Sequence, residues 1–279
     1  MAGSAPATSP SSTTTSPSTT TTVAAGGVPA PPPAGLGPGA IGPAVASLEQ
    51  RLSSLHYEVG RADDRFDQNT AYAVTAFQKV NRMARTGRAT DDVVAKVNST
   101  TAAPAALVPE GGATRVEIDL NRQVLFLYER GSLSKILTVS TGNGKRFCSE
   151  GVCRNAVTPV GAYAVNRQAR GWETGPLGSL YNPQYFNGGI AIHGSRSVPA
   201  SPASHGCVRI PMGAAEWFPS RVTLGTPVYV AGSGAVPSPT PPSASPPGPS
   251  APAPTEPTIP PITFPPPTTA VLRTTPTTL

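Results

Sequence analysis

The sequence predicts a mainly β domain, a β-sandwich or open barrel with a minor helix, preceded by a small domain of three helices. Three observations lead there. Apolar residues recur at helical spacing between positions 42 and 98, then at period two from position 113. The strand-like runs are separated by short turns, without regular alternation of strands and helices, which argues against a doubly wound parallel sheet. Ala, Ser, Thr, Pro and Gly dominate both ends, which have too little apolar content to offset the entropy of ordering.

Residues 1–40 therefore read as a disordered segment and 233–279 as a disordered Pro/Thr-rich tail. Roughly 190 residues remain between them, ample for a core and a small accessory domain. Residues 41–99 form the helical domain. Val45, Leu48, Leu52 and Leu55 share one helix face. A second helix begins near Asn69 or Thr70, both good N-caps, and turns Val74, Phe77 and Val80 inward. A third starts at Thr90, with Asp91 and Asp92 in its dipole-favoured first turn and Val93, Val94 and Val97 on its apolar face. Phe66 and Phe77 read as core, and His56 as a helix-end residue without chemistry.

Residues 100–112 read as a linker, and 113–232 as the β domain. Val116, Ile118 and Leu120 alternate with polar residues. Asn121-Arg122 turns the chain into a strand over 124–128, and Arg130-Gly131 into another over 133–140. These hairpins imply antiparallel pairing. Further strands are expected at 163–166, 189–193 and 227–230, with a short helix near 214–218.

The formal charge of +6 suits an anionic partner such as nucleic acid, a membrane or a wall polymer. There is no dense Lys/Arg run and no basic-aromatic interleaving, so nucleic acid is a weak reading. No stretch has the ~18–20 apolar residues of a membrane span. No charged-apolar-small leader opens the chain. Either an export signal lies upstream or was removed, or the protein is cytosolic; the chemistry below favours export. The three cysteines are Cys148, Cys153 and Cys207. In an exported protein an odd count suggests one disulfide, here Cys148 with Cys153, and one working thiol. Two free cytosolic thiols are the other reading.

Cys207 follows Gly206, whose missing side chain lets a substrate carbonyl approach the backbone. A thiol is a weak nucleophile while protonated, with a free pKa of ~8.5, and needs a base, a group to orient that base and donors for an oxyanion. The amides of Gly206 and Cys207, with His205, are candidates for the last role. Two histidines compete as base. His205 is two residues from Cys207 and shares its face in an extended segment. His193 ends a strand in which Ile190 and Ile192 point one way and Ala191 and His193 the other. The residues alone leave the two near even.

Residues 114–231 resemble the L,D-transpeptidase catalytic domain. The resemblance rests on Ile192-His193-Gly194-Ser195 and Ser204-His205-Gly206-Cys207-Val208-Arg209, with Ile118-Asp119-Leu120, Gln123, Ser140-Thr141-Gly142 and Thr158-Pro159-Val160-Gly161-Ala162-Tyr163 in support. It implies that Cys207 is the nucleophile and His193 the general base, oriented by a carbonyl or hydroxyl near Gly194 and Ser195. It places Ser204, His205 and Gly206 in the oxyanion pocket and Arg209 on a substrate carboxylate. Thr158, Tyr163, Trp172 and Tyr181 are expected to line the cleft. The implied substrate is a peptidoglycan stem peptide. D-Ala leaves as Cys207 acylates, and an amine of a neighbouring stem accepts, giving a 3→3 cross-link. Water as acceptor would make an L,D-carboxypeptidase.

Residues 41–99 resemble a peptidoglycan-binding domain through Val45, Leu48, Leu52, Leu55, Tyr57, Gly60, the Asp63–Asp67 loop, Thr70, Ala73-Val74 and Phe77-Gln78. Asp64 and Asp67 stand where that family carries glycines. Together the two resemblances imply a cell-envelope protein without a cofactor. The competing readings are a zinc site on His193, His205 and Cys207, and a wall-binding protein without activity.

Overall fold

The structure is a computed structural model that describes residues 35–232 and Gly3. The disorder expected of 1–34 and 233–279 lies outside the described residues. Residues 36–40, which composition assigned to the first disordered segment, are held by backbone bonds. Leu36 exchanges bonds with Ala89 at 2.9 Å each way, and Gly39 and Ala40 bond to Phe66.

Three helices come first: α1 (Pro43–Ser54), α2 (Gln68–Val80) and α3 (Asp91–Ser99). The N-cap of α2 is Asp67, whose side chain accepts from Thr70 N–H at 2.9 Å; Asn69 and Thr70 lie inside the helix. The cap satisfies an otherwise unpaired helix amide. The strands are β1 (Arg115–Asp119), β2 (Val124–Glu129), β3 (Ser132–Thr138), β4 (Arg146–Ser149), β5 (Val152–Asn155), β6 (Gly161–Ala164), β7 (Arg167–Gln168), β8 (Trp172–Gly175), β9 (Gly178–Asn187), β10 (Ile190–Ser195), β11 (Val208–Pro211) and β12 (Pro227–Ala231). Helix α4 (Met212–Arg221) follows β11.

One sheet has the order β3-β2-β1-β12-β6, a second has β11-β10-β9-β7 with β8 also on β9, and β4-β5 is a separate hairpin. The expected antiparallel pattern is interrupted twice. β1 pairs with β12 and β10 with β11 in parallel. The residues between β10 and β11 form an irregular crossover instead of a helix, so no β-helix-β alternation marked this pair.

The first sheet is covered on both faces. Val116, Ile118, Leu125 and Leu127 join a core with Ile192, Val208, Ile210 and Phe218. Val124, Phe126, Tyr128 and Ile136 join the other core, shared with α1, α2 and α3. The polar residues of β1 are thereby buried too. Arg115 Nε donates to Glu117 at 2.7 Å, and Glu117 also accepts from Leu107 N–H. Val108 is buried, so this part of the expected linker lies packed against the sheet. The chain after α1 extends the β3 edge: Ile136 N–H donates to His56 O and Glu58 N–H to Ile136 O. Pairing closes an edge that would otherwise be a template for association.

The longest strand, β9, was not expected. Pro183 sits inside it, and proline ordinarily marks an edge or a bulge. Asn182, just before it, has φ 47° and donates its N–H to Gly171 O outside the ladder. Proline is tolerated where the strand has already left regular pairing.

Candidate active site

His193 owes its position to strand alternation on β10. Ile192 is buried in the core, and Gly194 meets α4 so closely that an added Cβ would lie 2.6 Å from Ala215 Cβ. His193 and Ser195 instead line a cleft of about 520 Å³. The parallel register pairs Ile192 with Val208 and His193 with Arg209. Cys207, one residue ahead of Val208, thus falls alongside Ala191 and lines the same cleft.

The turn that presents Cys207 is held from within. Ser204 Oγ donates to Cys207 O at 2.6 Å and accepts from Gly206 N–H at 3.0 Å. Gly206 has φ 140°, and a Cβ there would stand 3.0 Å from Val157 O, so the position requires glycine. The bond from Gly206 N–H to Ser204 corrects its expected role as a free oxyanion donor. Thr158 Oγ1 accepts from Gly142 N–H at 3.0 Å and donates to Gly206 O at 2.6 Å. The chain leaving β3 joins this turn to the first sheet: Ser140 and Arg209 exchange backbone bonds, and Ala203 and Ser204 N–H both donate to Thr141 O.

His193 is 5% exposed. Its Nδ1 lies 2.9 Å from Gly194 O. A carbonyl only accepts, so Nδ1 carries the proton and Nε2 of the neutral ring has a free lone pair. Burial pulls the imidazole down to about 4; the Gly194 bond opposes this and the Arg209 charge adds to it. Burial pushes the Cys207 thiol up, against the lowering effects of an Ala191 backbone bond and Arg209. At neutral pH the pair rests as thiol and neutral imidazole. The thiol donates to Gly189 O at 3.8 Å rather than to His193.

His205 lines the same cleft, with its ring 4.7 Å from that of Phe147. Arg209 and Ser204 also line it. Thr158, Tyr163, Trp172 and Tyr181 are not among its lining residues. Thr158 is buried beneath the turn by the two bonds above. Tyr163 OH donates to the Pro159 and Val160 carbonyls. Trp172 lines an adjoining hollow that shares Ser179, Ser195 and Arg196 with the cleft, and Tyr181 stacks beside it while donating to Glu216. For Trp172 and Tyr181 the reason is that nothing in the sequence located β8 and β9, so these aromatic residues had no assigned face.

Phe147, Arg154 and Arg196 line the cleft without having been expected there. The first two come from the β4-β5 hairpin, where a disulfide joins Cys148 and Cys153. The cysteine spacing drew attention to this loop but not to the residues beside it. Among the described residues no three His, Cys, Asp or Glu side chains converge as a metal site, and no helix is long and apolar enough to cross a membrane.

Comparison with known proteins gives two family matches. Residues 113–230 match the L,D-transpeptidase catalytic domain, and residues 41–97 match the putative peptidoglycan binding domain. A crystal structure of the L,D-transpeptidase from Xylanimonas cellulosilytica is 36% identical, covering 72% of this chain and 100% of that one, with a TM-score of 0.66. The L,D-transpeptidase from Stackebrandtia nassauensis is 24% identical over 73% of this chain and 98% of that one, with a TM-score of 0.40. No curated protein matches the chain.

Proposed function

The chain belongs to the L,D-transpeptidase family, and we propose that it cross-links peptidoglycan stem peptides through a thioester on Cys207. The observation that carries this is the neutral, oriented imidazole of His193 in the cleft of the one free thiol among the described residues. Cys207 turns its thiol from Gly189 O to His193 Nε2 as a donor stem binds; catalytic bonds of this kind commonly tighten only with substrate present. The thiol attacks the carbonyl between a diaminopimelate-type residue and the terminal D-Ala, and its proton passes to Nε2. The C–S bond forms, and the amides of His205 and Cys207 hold the oxyanion. When the tetrahedral adduct collapses, the imidazolium returns the proton to the departing D-Ala amine, leaving a thioester. An amine of a second stem then attacks, His193 takes its proton, and the thiol is regenerated.

Arg209 binds a donor carboxylate, and its charge also helps to keep His193 neutral before substrate arrives. The helical domain holds the enzyme on the wall, outside the cytoplasm. Mass spectrometry of products from a disaccharide-tetrapeptide tests the reaction. A cross-linked dimer with loss of one D-Ala is expected. Tripeptide alone would assign the carboxypeptidase reaction instead.

A further inference from the structure

Three arginines line the Cys207 cleft, Arg154, Arg196 and Arg209, and no Asp or Glu does. They come from three places: β5, the residue after β10, and β11. Among the described residues the salt bridges engage none of them. Arg154 lies over the Phe147 ring at 5.7 Å and Arg196 over the Trp172 ring at 5.5 Å. An aromatic face steadies a guanidinium while leaving its N–H fork free for a carboxylate. Such a cleft raises the local concentration of an anionic ligand and repels a cationic one.

The hairpin is built to hold Arg154 there. Arg154 pairs across the ladder with Phe147, and the neighbouring pair is Cys148 with Cys153. Directly opposite residues share a face and successive pairs alternate, so the disulfide staples the face away from Phe147 and Arg154. Phe147 in turn packs on His205 of the nucleophile's turn. The side chains of β5 are otherwise exposed, so no core packing supplies this position.

We propose that Arg154 and Arg196 recognise a free side-chain carboxylate on the donor stem's diamino acid, making the enzyme selective for that acid over its amide. The proposal rests on the stem-peptide reading above. Arg209 takes one carboxylate of the donor, and the other two arginines take a second. An amide cannot accept a charge-assisted fork and would leave the guanidinium charges without a counter-charge.

The test uses the full chain and two tetrapeptide donors that differ only in carboxylate or carboxamide at that side chain. The readout is kcat/KM for D-Ala release. The acid is expected to be preferred about tenfold at low salt, with the ratio shrinking as salt rises. Arg154→Gln and Arg196→Gln each move the ratio toward one, whereas Arg170→Gln, exposed and outside the cleft, keeps it. Equal turnover of both donors by the unaltered protein, or a salt-independent ratio, overturns carboxylate recognition; neither readout depends on a variant folding. An unchanged ratio in both folded variants removes these two residues from it. Turnover of neither donor overturns the stem-peptide reading itself.

Discussion

Lys79 against the first sheet and His193 on the second are two buried polar groups treated differently. Lys79 of α2 is fully buried on the first sheet, and its ammonium donates to Gln123 O at 3.0 Å, Thr138 Oγ1 at 2.7 Å and Val139 O at 2.8 Å. Three donors meet three acceptors. Burial and the Arg85 charge pull its pKa down to about 7. His193 on the second sheet is nearly as buried, yet one nitrogen bonds to Gly194 O and the other is left for the cleft. A satisfied buried group holds structure together. A half-satisfied one in the cleft of a free thiol retains the capacity to move a proton. The Lys79 acceptors adjoin Ser140, whose backbone pairs with Arg209, so the first sheet supports the turn that carries Cys207.

The comparison can be broken at several points. Cys207→Ala is expected to abolish acylation, and His193→Gln to slow it by about 10³-fold or more, with little change in thermal midpoint for either. A His193→Gln protein that is inactive only because it unfolds would put His193 in the same class as Lys79. Thr158→Val removes the donor to Gly206 O and the acceptor of Gly142 N–H. Acyl-enzyme formation should fall by about 10- to 100-fold, chiefly in kcat, as the turn loosens. Lys79→Met takes a donor from three acceptors, of which Gln123 O keeps Val139 N–H, and should cost about 2 kcal/mol, read as a lower denaturant midpoint. Unchanged stability would remove Lys79 as the support of the first sheet.

The pH dependences separate the two groups as well. For both, the folded pKa lies below the unfolded one, so the unfolded chain binds more protons and stability rises with pH between the two values. For His193 that window runs from about 4 to 6.5, and for Lys79 from about 7 to 10.5. Replacing either residue should flatten the denaturation midpoint in its own window alone. The smallest effect is expected for Cys148→Ser with Cys153→Ser. The loop is short and the hairpin exposed, so global stability should drop by no more than ~2 kcal/mol. KM should rise more than kcat falls.

Much of the fold was legible because burial on one face writes a period into the sequence. Val45 to Leu55 and Val116 to Leu120 show it. The second layer over β1 and β2 was hidden. Arg115 and Glu117 look like solvent-facing residues, and the docked 107–112 segment shows why they are buried, while Asp119 is held by the turn that follows it. Pro183 concealed β9, and with it the faces of Trp172 and Tyr181. At the site, Ser-His-Gly-Cys marked the turn because Gly206 needs its unusual φ and Ser204 both donates and accepts within it. The residues could not choose between His193 and His205. The family resemblance made that choice; the parallel β10-β11 register that sets His193 beside Arg209 is not encoded locally by the intervening crossover. Arg154 was invisible for a similar reason: its place comes from a hairpin leaning on another loop.

The central claim is that a neutral His193 activates Cys207 for acyl transfer. Its most direct test is intact-protein and peptide mass spectrometry of the full chain mixed with a disaccharide-tetrapeptide, followed from pH 8 down to pH 3. The account predicts an adduct on Cys207 that has lost D-Ala, formed at undiminished initial rate from pH 7 to about pH 5 and falling as His193 protonates near 4. An adduct elsewhere, or a rate already collapsing between pH 7 and 6, would contradict it.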